Sequence, residues 1–143
     1  MIPAPPELLV LSEDAARVYE PSGREVCISI VNPGAAPVPL SPRFLALLRL
    51  TFTDIAGPSP HAWDKLFSED DARAILAFTA DWSDVERLVL HCRAGQSRSP
   101  AIALALCELG SGDIAALEGR FPLWNTWVRD TLVRCGRELI PDP

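Results

Sequence analysis

Apolar and polar positions follow two periods along this chain. Short runs rich in leucine and β-branched residues, "ELLVLS" at 7–12, "EVCISIV" at 25–31 and "RLVLHC" at 87–92, predict strands, the last two of them buried. "FLALLRLTF" at 44–52 fits either period, and its second half is assigned to a strand. Helical spacing takes over in between. "SEDAARVY" at 12–19 and "SEDDARAILAFTADW" at 68–82 each open on a serine followed by acidic residues, which is a helix-start signal at Ser12 and Ser68. "SPAIALALCELG" at 99–110 carries Pro100 in its first turn, where a missing N–H costs nothing, and Gly110 at its end. Two more helices are predicted over "DIAALEGRF" at 113–121 and "LWNTWVRDTLVRCGREL" at 123–139. The proline-rich "NPGAAPVPLSP" at 32–42 and "TDIAGPSPH" at 53–61 read as loops. Strands that alternate with helices predict an α/β fold with a central, mostly parallel sheet flanked by helices. A chain of 143 residues fits one domain spanning 1–143.

Composition narrows the functional classes. A net charge of -6 repels polyanions, which argues against nucleic acid and acidic membranes as partners. The N-terminal "MIPAPPELLVLS" lacks the basic start and long apolar core of a signal peptide, and no apolar run reaches membrane-spanning length. The cysteines, Cys27, Cys92, Cys107 and Cys135, fit neither a zinc motif nor a disulfide scaffold. Free thiols and a cytoplasmic setting are expected. Lys65 is the only lysine, so the arginine excess as a whole reads as compositional. His61 has no second ligand spaced to help it, and no metal or other cofactor is expected. Trp63, Trp82, Trp124 and Trp127 read as core or helix-packing residues.

The chemistry is concentrated in "LVLHCRAGQSRSPAIALAL" at 88–106. A strand, a glycine-containing loop and a helix in succession direct backbone N–H groups and a helix N-terminus at one concavity, which suits an anion. Gly95 lets the loop curl. Arg98 stands where its planar fork could hold two oxygens of a phosphate or sulfate. Cys92, at the strand end, lies in the same positive potential, which favours a thiolate able to attack phosphorus.

His91-Cys92, five intervening residues and Arg98-Ser99 resemble the signature loop of the protein tyrosine phosphatase superfamily, most closely its compact dual-specificity branch. The resemblance implies Cys92 as nucleophile and Arg98 as the clamp on phosphate and transition state. It implies phosphate binding by the stretch Arg93, Ala94, Gly95, Gln96, Ser97 and Arg98. Ser99 would hydrogen-bond the sulfur and help it leave, and His91 would order the loop. The side chains of Arg93 and Gln96 would rim the pocket and influence substrate choice. The family's general acid is an aspartate well before the cysteine. Asp54, at the end of an apolar run, takes that place, with Asp64 as competitor, whereas Asp70 and Asp71 read as first-turn helix residues. Asn125 falls where some members carry a water-orienting asparagine, although a helix-surface asparagine is the simpler reading. "IPDP", with Asp142, faintly resembles the acid loop of low-molecular-weight tyrosine phosphatases, but the chain order argues against that group.

The expected activity is therefore metal-free hydrolysis of a phosphomonoester, on a phosphorylated protein or a small molecule. The alternatives are a non-catalytic phosphate-binding module and, behind it, a rhodanese-like sulfurtransferase.

Overall fold

The computed structural model describes residues 6–110 and 112–139, so Asp142 and the first five residues lie outside the described residues. The elements run β1 (Glu7–Leu11), α1 (Glu13–Val18), β2 (Glu25–Val31), β3 (Leu47–Thr51), α2 (Glu69–Asp81), β4 (Arg87–His91), α3 (Arg98–Leu109), α4 (Ile114–Arg120) and α5 (Thr126–Leu139). The strands form one sheet in the order β1-β4-β2-β3. Every pairing is parallel, with Leu11 opposite His91 and Ser29 opposite His91 on the other side. This is the α/β architecture the alternating pattern predicts.

β4 is central, and its Leu88–His91 stretch is buried on both faces, as a parallel strand between two helical layers requires. Alternation along β2 sends Val26, Ile28 and Ile30 into the main core with Ile75, Ile102 and Leu132, which come from α2, α3 and α5. Cys27 faces the other way, with Val89, Phe44 and the partly buried Leu9, Leu11, Tyr19 and Leu40. Burial in this second core pushes the Cys27 thiol up to about 12. The proline-rich loop helps cover that face: it runs over the surface but buries Val38 completely.

The helix starts form where the sequence marks them. Ser12 accepts from the Ala15 N–H, and Ser68 and Asp71 make a reciprocal capping box, which settles Asp71 as a helix-start residue. α3 begins at Arg98, slightly earlier than the proline-containing run suggests. α3 and α5 approach closely at Gly136, where a Cβ would come within 2.4 Å of Leu109. One expectation fails: Trp63 is 70% exposed and stacks on His61 at 4.3 Å rather than packing in the core. Trp82, Trp124 and Trp127, by contrast, are partly buried against the core.

A buried carboxylate closes the opposite end of the sheet. Glu25 accepts from Tyr19 and from the N–H groups of Ser22 and Gly23, beside Arg87. Burial alone would raise its carboxyl, but these donors and the Arg87 charge hold it below the usual range.

Candidate active site

The Cys92–Ser97 loop stands at the carboxyl end of the central strand, where ligands bind in open α/β sheets. Its curl depends on Gly95, which adopts φ +71 and presses on the junction between β1 and α1. A Cβ there would lie 2.8 Å from backbone atoms of Leu11 and Ser12. The Glu13 N–H donates to the Arg93 carbonyl at 3.0 Å and clamps the same contact. Among the described residues, the N–H groups of residues 93–98 donate to no protein acceptor. Backbone donors normally find partners, so a run of free ones on a rigid loop suits an external anion.

Cys92 is 2% exposed, and its sulfur lies 3.1 Å from the Ser99 hydroxyl. His91 is fully buried under the loop. Its Nδ1 lies 3.2 Å from the Cys92 carbonyl, which can only accept, so Nδ1 carries the proton. Nε2 then accepts from the Ser29 hydroxyl at 2.6 Å. Burial lowers the imidazole below its ordinary value, against the opposing effect of the Cys92 carbonyl, and so favours this neutral ring.

Arg98 is held along one side only. Its Nη1 donates to Asn32 Oδ1 at 2.7 Å and to the Phe52 carbonyl at 2.9 Å. Its Nε is buried without a partner. The edge formed by Nε and Nη2 is the geometry that matches two oxygens of a phosphate.

Asp54 is exposed at the mouth of its loop, and its Oδ1 accepts twice, from Ser97 Oγ at 2.8 Å and from Asn125 Nδ2 at 2.8 Å. Oδ2 is left as the oxygen able to carry a proton. Asp64 bonds within its own loop, accepting from Ser59 at 2.6 Å, and makes no hydrogen bond to the cysteine loop. Asn125 is not a helix-surface residue: it is 6% exposed. Its Nδ2 also donates to the Ile55 carbonyl, its Oδ1 accepts from Val128 N–H, and its own N–H donates to the Ser97 carbonyl. It thus joins α5, the aspartate loop and the cysteine loop. Arg93, Ala94 and Gln96 are exposed at the rim, Gly95 and Ser99 are buried, and Ser97 is half-buried.

The structure therefore brings His91, Cys92, Ser97, Arg98, Ser99 and Asp54 together and leaves Asp64 and His61 outside the hydrogen-bonded set. Sequence reasoning missed Ser29 and Asn32 and misread Asn125. Asn32 directly follows a buried strand, and Asn125 precedes a helix as a capping asparagine does; both positions carried a signal. A cavity of about 240 Å³ adjoins the loop, with Glu13, Arg93 and Arg98 as its charged lining and Ile30, Val31 and Ala35 as its apolar lining.

No family model and no curated protein matches the chain. Among solved structures, it is similar to human DUSP28, a dual-specificity phosphatase, at TM-score 0.56 and 20% identity, over 97% of both chains. The chain has a phosphatase-like fold. At that identity the likeness speaks for architecture, and the chemistry rests on the side chains described above. Among the described residues, no helix is long and apolar enough to cross a membrane.

Proposed function

We propose that this phosphatase-like domain is a cysteine-dependent phosphomonoester hydrolase, acting on phosphotyrosine or a related phosphomonoester through a cysteinyl-phosphate. The observation that carries the reading is the set of unused donors around Cys92: the N–H groups of 93–98 and the buried, unpartnered Nε of Arg98. Preorganised donors of this kind stabilise the charge that develops on a transferring phosphoryl group.

In the first step the Cys92 sulfur attacks phosphorus in line and the bond to the leaving oxygen breaks. The proton on Asp54 Oδ2 passes to that oxygen, because an unprotonated alkoxide or phenoxide leaves badly. In the second step water attacks phosphorus, Asp54 takes its proton, and the S–P bond breaks to return the thiolate. The Ser99 hydroxyl, 3.1 Å from the sulfur, stabilises that thiolate. The loop donors and Arg98 hold the equatorial oxygens throughout.

The test is release of nitrophenol from 4-nitrophenyl phosphate, with Cys92→Ser as the inactive comparison, because a hydroxyl in the same cradle is a far weaker nucleophile. Asp54→Asn should slow a tyrosyl phosphate far more than the nitrophenyl ester, and Asp64→Asn should leave that ratio alone. A wild-type protein that binds vanadate or phosphate but releases no nitrophenol is a binding module instead. Turnover of thiosulfate with cyanide would assign it to sulfur transfer.

A further inference from the structure

The cavity beside the loop holds more than phosphate chemistry requires. Arg98 reaches it from the cradle, and Arg93 contributes a second guanidinium that makes no ion pair among the described residues. Glu13 brings a carboxylate into the same hollow. Glu13 is fixed there by backbone: it opens α1, and its own N–H is bonded to the Arg93 carbonyl. Its only charged partner among the described residues is Arg17, at 4.0 Å on an exposed helix turn, a separation that neutralises little.

A carboxylate near a phosphate site works against the binding of any dianion and needs a compensating use. With the cavity empty, the two arginines outweigh Glu13. With a phosphate dianion seated at Arg98, the lining and ligand together carry a net negative charge, which a cation on the ligand beside Glu13 would offset. The apolar lining of Ile30, Val31 and Ala35 offers nothing to an anion and suits the carbon arm of a leaving group.

From this arrangement we infer that Glu13 forms a cation subsite beside the phosphate cradle, so that the preferred ligands are phosphomonoesters whose leaving group carries a positively charged nitrogen. The same carboxylate disfavours leaving groups that carry a second anionic group. The inference rests on the reading of the cradle as a phosphate site, but not on turnover.

The probes are three aryl phosphates of near-equal leaving-group chemistry that differ in the charge on the para arm: tyramine phosphate (cationic), 4-ethylphenyl phosphate (neutral) and 3-(4-phosphooxyphenyl)propanoate (anionic). Their affinities are measured by titration calorimetry on the Cys92→Ser protein, and kcat/KM is measured on the wild type. A half-exposed ion pair gives about a 2- to 5-fold preference at each step of charge, in the order cationic, neutral, anionic. Glu13→Gln added to either background should level the series, with the neutral ester bound somewhat more tightly because the carboxylate no longer opposes the phosphate, and Glu13→Lys should invert it. Arg17→Gln should widen it by removing the competing cation. Phosphotyrosine peptides with arginine, alanine or glutamate next to the phosphoresidue show whether a protein can supply the cation.

Equal affinities across the three arms, or a preference that survives Glu13→Gln, overturns the subsite. Absence of wild-type turnover with the charge preference intact in binding overturns the hydrolase reading alone. Failure of all three esters to bind removes the cradle and the subsite together.

Discussion

Asn125→Asp separates the helix-capping role of this residue from its hold on Asp54. Aspartate caps a helix about as well as asparagine, so the bond from the Val128 N–H survives. What disappears is Nδ2, with its donated bonds of 2.8 Å to Asp54 Oδ1 and 3.0 Å to the Ile55 carbonyl. A second carboxylate oxygen then faces Asp54. Two unit charges about 4 Å apart repel by about 4 kcal/mol at an effective dielectric near 20. Asp54 is exposed, so solvent screening brings that down to about 1 kcal/mol. The lost charge-assisted bond adds about 1.5 kcal/mol, for a total near 2.5 kcal/mol against the seated carboxylate. Asn125→Ala loses the same bonds without the repulsion and gives up about 1 kcal/mol of capping as well. The two variants therefore reverse order: Ala unseats the aspartate less but weakens α5 more. If Asp54 is the acid, both should lower kcat/KM for a tyrosyl phosphate by about 10-fold or more, within the span that general-acid catalysis covers. The loss on 4-nitrophenyl phosphate, whose leaving group needs little help, should stay within about 3-fold. The assay is kcat/KM for both esters at one pH, with the unfolding midpoint of each variant alongside. Equal losses on the two esters, or none on either, would refute the claim that Asn125 seats a general acid.

Asn32→Ala removes the 2.7 Å bond to Arg98 Nη1 and should weaken vanadate binding several-fold with little loss of stability; unchanged affinity would mean that the Phe52 carbonyl suffices to orient the guanidinium. Gly95→Ala must place a Cβ 2.8 Å from the Leu11 and Ser12 backbone at positive φ. It should cost about 1–3 kcal/mol and abolish measurable anion binding, read by thermal unfolding with and without phosphate, and a fully active variant would contradict the loop geometry. Because burial lowers His91, the unfolded chain binds that proton more readily than the folded one. Stability should be full above the unfolded value of about pH 6.5 and decline as pH falls through it toward the folded value. Melting curves of wild type and His91→Asn across this range test the point: the mutant should show the shallower decline, and parallel curves would sink it.

The sequence by itself determined the elements and the neighbours of Cys92 along the chain. β-branched runs, serine caps and Pro100 are local signals, and the strand-loop-helix carrying Cys92 and Arg98 is contiguous in the chain, so its residues are neighbours whatever the rest does. Trp63 shows the limit of that reading: its size suggests burial, but it stands 70% exposed with only His61 stacked on it, and burial is a property of the partner as much as of the residue. Only the tertiary structure decided which distant polar groups serve the loop. Ser29 and Asn32 arrive because β2 pairs in parallel beside β4, which brings the carboxyl ends of both strands to the same edge. Asp54 is tied to Ser97 and to Asn125, residues 43 and 71 positions along the chain, because β3 ends on that edge and α5 packs on α3 with its N-terminus beside the loop. Glu13 enters through the contact at Gly95, between the loop and the β1–α1 junction. A single hydrogen bond carries no sequence period, and closing so long a loop is possible only once the packed sheet has fixed both ends, so these placements were set by the sheet order and not by any local pattern.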